Sequence, residues 1–243
     1  MGWFAIALET VGTVLQSVPV IRRLIPKNGG ETLRLDAVVP RDRIKREGRI
    51  LFVDDERPEL IDFLEEQGFN VRYLADVTRS NLHVVEGTDY DVLILDFYNV
   101  GTELGDGHGL ELLRHVKRVN PRLYVLAYTS KLLGTEHAEF FRDTDDMLKK
   151  DLGLQDTLVK VEGALAKALS PSEAWAAVLE RAGVPAGTAE DRALQKLAAR
   201  AQRDRQSRGR LKDVLSEKTG GGAVGEVVDL VDRIARLTAS DDD

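Results

Sequence analysis

Apolar and polar positions change their period several times along this chain, and each change marks an element. Arg49 to Val53 is a short apolar run that stops at Asp54-Asp55-Glu56. Pro58 opens a helical pattern, Glu59 to Gln67, which Gly68 closes. Phe69 to Leu74 reads as a second strand and Thr78 to Glu86 as a second helix. Between Asp91 and Asp96 lies the unbroken apolar run Val92-Leu93-Ile94-Leu95, the pattern of a strand covered on both faces. Gly109 to Val119 is helical with Leu110, Leu112, Leu113 and Val116 inward, and Pro121 ends it. Leu123 to Tyr128 gives a fourth strand, Glu136 to Asp143 a fourth helix, and Met147-Leu148 a short fifth strand. Leu154 to Leu169 is a strongly periodic last helix. Five strands alternating with five helices predict an α/β fold with a parallel, doubly wound, flavodoxin-like sheet across residues 49–169.

The flanks have other patterns. Trp3 to Ile21 is apolar-rich, with Phe4, Leu8, Val11, Leu15 and Val18 in one helical stripe, and Glu9, Thr13, Gln16 and Arg23 form another. This predicts an amphipathic helix kinked or ended by Pro19, packed on this protein or on a second copy, with a membrane surface as the alternative. No basic stretch precedes it and no small-residue cleavage site follows, so it does not read as a secretory signal. Residues 31–48 are polar around Pro40 and read as an irregular lead-in. After Ser170-Pro171 the chain becomes rich in Ala, Leu, Arg and Glu, broken at Gly183, Pro185, Gly187 and Gly220 to Gly222. Three or four helices are expected there, as a small bundle or an extended arm. The division is therefore 1–48, 49–169 and 170–243.

Composition narrows the chemistry. With 43% apolar and 31% charged residues, the 243-residue chain is of ordinary globular type. The absence of cysteine excludes a disulfide framework, a thiol nucleophile and thiolate zinc sites, and it suits a reducing, cytoplasmic setting. The net charge of −7 is uneven: residues 1–48 carry +3, residues 49–169 carry −9, and residues 170–243 carry −1. An acidic middle segment argues against nucleic acid there and for a divalent cation.

In an open parallel sheet, ligands bind beyond the carboxyl ends of the strands. Asp54 and Asp55 follow the first strand, Asp96 the third, Thr129 and Ser130 the fourth, and Lys150 the fifth. Three converging carboxylates need a cation, and oxygen donors without Cys or His select a hard ion, Mg2+ first. Such a set suits a carboxylate that accepts a phosphoryl group. Asp96 would be the nucleophile, Lys150 a positive charge beside the phosphoryl oxygens, and the Thr129 hydroxyl a hydrogen-bond donor to one of them. Asp106 reads as a solvated loop acid, and His83, His108, His115 and His137 lack ligand spacing and read as surface residues.

Taken together, Asp54-Asp55, Tyr90 to Asp96, Gly109 to Leu113, Thr129-Ser130 and Asp145 to Asp151 resemble, in order and spacing, the receiver domain of two-component response regulators. The resemblance covers roughly residues 49–169, half of the chain. It implies transfer of a phosphoryl group to Asp96 from a histidine kinase or a phosphotransfer protein. It also implies a Mg2+ site formed by Asp54, Asp55, Asp96 and the backbone carbonyl of Tyr98. The protein would be a switch, not a metabolic enzyme, acting through its flanking helices on a partner or a second copy. Three departures stand out. The loop after Asp96 is longer than usual in that family and lacks its customary proline. Met147 occupies the place of an aromatic ring. Lys149 competes with Lys150, which the neighbouring Asp151 and the Asp145-Asp146-Met147-Leu148 run favour.

Three other readings stay open. The domain could work as an interaction module without phosphorylation. The helical region could bind DNA, since Arg192, Lys196, Arg200 and Arg203 share a helix face. Yet no helix-turn-helix, aromatic platform or zinc pattern accompanies that face, and acids surround it, which favours a solvated or partner-facing helix. The third reading is a hydrolase that uses the same carboxylates for turnover.

Overall fold

The computed structural model describes residues 32–130, 138–221 and 224–238. The amphipathic stretch expected between Trp3 and Ile21 lies outside them, as do the start of the fourth helix and His137. Two compact units are present: residues 38–173, and residues 174–238 joined by residues 32–37. Among the described residues no helix is long and apolar enough to cross a membrane.

The first unit is the expected doubly wound sheet. Its strands are β1 (Arg49–Val53), β2 (Asn70–Leu74), β3 (Val92–Asp96), β4 (Tyr124–Thr129) and β5 (Asp146–Lys149), in the order β2-β1-β3-β4-β5. All neighbours are parallel, with Ile50 opposite Val92, Leu93 opposite Val125 and Ala127 opposite Met147. Ile50 to Val53 and Val92 to Leu95 are fully buried, because helices cover both faces. The helices are α1 (Arg41–Glu47), α2 (Leu60–Glu66), α3 (His83–Glu86), α4 (Gly109–Val119), α5 (Ala138–Asp143) and α6 (Leu154–Ala168). Since β2 and β3 lie on opposite sides of β1, the winding reverses between β1 and β3. A crevice opens at that switch point, beyond the strands' carboxyl ends.

Two segments differ from the sequence reading. The lead-in 31–48 contains a helix, α1, which starts after Pro40 and buries Ile44 and Arg43. With one buried aliphatic residue it has no helical period to read. Instead it is fastened to α6, where Arg41 meets Glu162 at 2.8 Å, and to Phe69, whose ring lies 5.0 Å from the Lys45 ammonium. The second helix is shorter than expected, only His83–Glu86. Upstream, the Asn81 side chain accepts from the Thr78 N–H at 2.7 Å and donates to the Asp76 carbonyl at 3.2 Å. These bonds hold residues 76–82 as a turn in place of a first helical turn.

The second unit is a helical bundle of α7 (Pro171–Arg181), α8 (Ala189–Ala201), α9 (Arg205–Thr219) and α10 (Val224–Thr238). One buried cluster, with Trp175, Leu194, Leu215 and Ile234 in it, joins all four helices, so the bundle and not the extended arm is the form adopted. Thr188 caps α8 and Asp204 caps α9 through side-chain bonds to backbone N–H groups, and Gly220 ends α9 in the left-handed conformation. Part of the basic character is neutralised internally, because Arg208 pairs with Asp232 and Lys218 with Glu190.

Asp191 organises the centre of this bundle. Its carboxylate accepts from the Trp175 indole at 2.9 Å, the Gln195 amide at 2.8 Å and the Gly187 N–H at 2.7 Å. Burial pushes the carboxyl up, but the bonds from Trp175, Gln195 and Gly187 outweigh it and hold it below the usual aspartate range. A depressed carboxyl stabilises the fold above its unfolded value, about 3.9, and that stabilisation is lost as pH falls through the lower folded value. Asp191→Ala strands three donors and should destabilise the bundle by about 1–3 kcal/mol at neutral pH. Below pH about 4 the difference from the unsubstituted chain should narrow. Denaturant unfolding of the full chain at several pH values, followed by tryptophan fluorescence, measures both effects.

Candidate functional site

Beyond the carboxyl ends of β1 and β3, the side chains of Asp54, Asp55 and Asp96 converge. Each offers an oxygen within 4.8 Å of the others, and among the described residues this is the one group of three acids or histidines so placed. Asp54 and Asp96 are buried, whereas Asp55 is exposed. Lys150, just past β5, reaches across the strand ends. Its Nζ lies 2.8 Å from Asp54 Oδ2 and 3.1 Å from Asp96 Oδ1.

Backbone groups fix the acids in place. The Glu56 N–H donates to Asp54 Oδ1 at 3.0 Å, and the Tyr98 N–H donates to Asp96 Oδ2 at 3.0 Å. The Tyr73 hydroxyl donates to the Asp54 carbonyl at 2.8 Å, which ties β2 to the loop after β1. Lys150 is held from below, because its N–H donates to the Thr129 carbonyl at 2.7 Å and its ammonium sits 4.8 Å from the Tyr128 ring centroid.

The electrostatics follow from burial and from one shared lysine. Burial pushes the Asp96 carboxyl above its ordinary value, and the ion pair with Lys150 offsets this only in part. Burial would lower the Lys150 ammonium, yet its bonds to Asp54 and Asp96 keep it raised. Three carboxylates face a single ammonium, so the cluster carries surplus negative charge in a sheltered place. Oxygen donors only, closely spaced, with surplus negative charge, fit a hard divalent cation.

Of the residues singled out in the sequence, the fold brings Asp54, Asp55, Asp96 and Lys150 into contact distance. Thr129 is buried at the end of β4, next to Lys150, and Tyr98 follows Asp96 with its N–H on that carboxylate. Met147 packs partly buried against the core, and Lys149 is exposed. His115 is bonded to Glu86 at 2.9 Å, whereas His108 is not the plain surface residue expected. A φ of 51° turns it inward, where Nδ1 is buried without a hydrogen-bond partner near the rings of Phe97 and Tyr98. Sequence reasoning missed Tyr73, Tyr128 and Asn99, whose amide donates to Asp55 at 2.8 Å. Tyr128 alone had a signal, as the residue before Thr129 at a strand end.

No protein-family profile matches the chain, and no curated protein is similar to it. Solved structures similar to it include response regulator receiver domains. A CheY-like receiver domain protein from Methanospirillum hungatei is 23% identical, with a TM-score of 0.42, over 50% of this chain and 95% of its own. A two-component response regulator from Clostridium difficile is 23% identical, with a TM-score of 0.40, over 49% of this chain and 95% of its own. The receiver domain of NtrX from Brucella abortus is 24% identical, with a TM-score of 0.41, over 48% of this chain and 97% of its own.

Gly109, the first residue of α4, sets how closely this helix approaches Asp96. Its N–H donates to the Phe97 carbonyl at 2.9 Å. A Cβ there would lie 2.5 Å from the Asp96 carbonyl oxygen and 3.0 Å from the Phe97 Cα. Backbone obstacles cannot rotate aside, so Gly109→Ala should destabilise the sheet unit by about 1–3 kcal/mol. Gly163→Ala, in α6 with nothing within 4 Å of the new methyl, should instead be neutral or stabilising by up to about 1 kcal/mol. Urea unfolding of the two variants beside the unsubstituted chain gives the contrast.

Proposed function

We propose that the sheet unit is a response-regulator switch that is phosphorylated on Asp96 in a Mg2+-dependent reaction. The observation that carries this reading is Lys150 Nζ lying between Asp54 and Asp96, at 2.8 and 3.1 Å, with Asp55 in the same cluster. The carboxylates of Asp54, Asp55 and Asp96 and the Tyr98 carbonyl are the groups that would hold Mg2+, which when bound neutralises charge on the phosphoryl oxygens.

The chain's own residues do the rest. A carboxylate oxygen of Asp96 attacks phosphorus, and the phosphorus–nitrogen bond of a phosphohistidine breaks, leaving its electron pair on the imidazole nitrogen. The product is an acyl phosphate on Asp96. The donor is a histidine kinase or a phosphotransfer protein. Before transfer Lys150 is shared by two carboxylates. Afterwards Asp96 has exchanged its carboxylate for a phosphoryl group with more charge and more acceptor oxygens, and Lys150 and the Thr129 hydroxyl turn to those oxygens. Both sit where strands end and loops begin, so their movement changes the surface around them. The protein acts through that change on what its helical regions bind, as a switch and not by turnover.

Incubation of the full chain with acetyl phosphate and Mg2+, followed by intact mass measurement, tests the reading. One added phosphoryl group is expected, absent after chelation and absent from Asp96→Asn. An unchanged mass in the unsubstituted chain would overturn it in favour of a module that works without phosphorylation.

A further inference from the structure

The loop after Asp96, residues 97–108, places one amide where it meets a member of the acidic cluster. Asn99 Nδ2 donates to Asp55 Oδ2 at 2.8 Å. Lys150 pairs with Asp54 and Asp96, and Asp55 is the exposed acid of the three. Without a partner an exposed aspartate rotates freely, and ordering it on a ligand costs side-chain entropy.

Asn99 is itself fixed from both sides. Before it, the Tyr98 N–H is bonded to Asp96 at 3.0 Å. After it, Val100 is fully buried in the core beneath β3 and α4, and the Gly101 N–H is bonded to Asp76 Oδ1 at 2.5 Å. Asn99 has a φ of 54°, in the left-handed region that asparagine tolerates better than most residues. A conformation unfavourable to most side chains is thus held by anchors on either side, and it aims the amide at Asp55.

We propose that Asn99 is a positioning residue that orients the Asp55 carboxylate, leaving its second oxygen directed at the divalent cation. This rests on the site being a Mg2+ site, as argued above. The contact joins a loop residue to a cluster acid through one hydrogen bond, the arrangement by which partners outside the ligand set tune a metal centre. It also gives the lengthened loop a task at the site, since the same segment carries Tyr98 and Asn99.

The test is calorimetric titration of the full chain with Mg2+. Asn99→Gly removes the amide and retains access to positive φ. It should weaken Mg2+ binding by about 10- to 100-fold, the range seen when such partners are removed, with the metal-free unfolding temperature unchanged. If the unsubstituted chain binds Mg2+ and Asn99→Gly binds it equally well, the role of Asn99 is wrong and the site reading stands. If the unsubstituted chain does not bind Mg2+, the site reading itself fails. Should Asn99→Gly also lower the metal-free unfolding temperature, the same substitution in an Asp55→Asn background decides. Loss of its effect there assigns the effect to the pair, and an undiminished effect overturns the inference.

Discussion

The fold gathers like charges at the one place where its topology opens a crevice. Between β1 and β3 the winding reverses, and the strand ends on either side carry Asp54, Asp55 and Asp96. Two of these acids, Asp54 and Asp96, are buried and share a single ammonium, that of Lys150. At an effective dielectric near 20, two like charges 4 Å apart repel by about 4 kcal/mol, and burial adds desolvation to that. The upward displacement of the Asp96 carboxyl expresses the same strain. Lys150 makes the arrangement tolerable without making it neutral. What remains is surplus negative charge on closely spaced oxygens, a set that suits a compact divalent ion.

Much of this architecture was legible in the sequence because burial on both faces leaves an unmistakable mark. Val92-Leu93-Ile94-Leu95 has no polar residue to place outward and is bounded by two aspartates, the pattern of a central strand, which it forms. The chemistry-bearing residues were legible for a related reason. Polar groups that end apolar strands in an α/β alternation fall on one edge of the sheet, whatever the details of packing. Helix α1 left no such trace, since one buried isoleucine in seven residues sets no period and the Glu162 that Arg41 pairs with is 121 positions away in sequence. The shortened α3 was hidden because Asn81 turns its side chain onto the backbone of residues 76 and 78, a local bond that the apolar pattern does not register. Tyr73 and Asn99 were invisible because their partners, the Asp54 carbonyl and the Asp55 carboxylate, are defined only by strand register and loop path.

The two units obey different rules of stability. The sheet unit depends on long-range pairing: five strands from separate stretches must assemble before the acids meet. The helical bundle has its own buried cluster and its own polar centre at Asp191, where one carboxylate satisfies an indole, an amide and a backbone N–H. A buried charge so fully bonded contributes to specificity as well as stability, because repacked arrangements would strand it. Each unit therefore carries a titratable group with a distinct role. Asp191 is held ionised by donors, and Asp96 is pushed toward its neutral form by burial.

The loop after Asp96 has to hold its geometry beside the acidic cluster. Extra residues in a surface loop cost little closure entropy, since that cost grows only with the logarithm of length. Positional precision is the larger problem, because a free loop would let Tyr98 and its neighbours wander from the cluster. Residues 97–108 lack the proline that would stiffen them, and they are held by other means. Phe97 and Val100 are buried, Gly101 is tied to Asp76, and Gly109 is pressed against the Asp96 backbone. The middle of the loop is tied as well, because Leu104 packs against the core and Glu103 accepts from the Arg79 N–H at 3.1 Å.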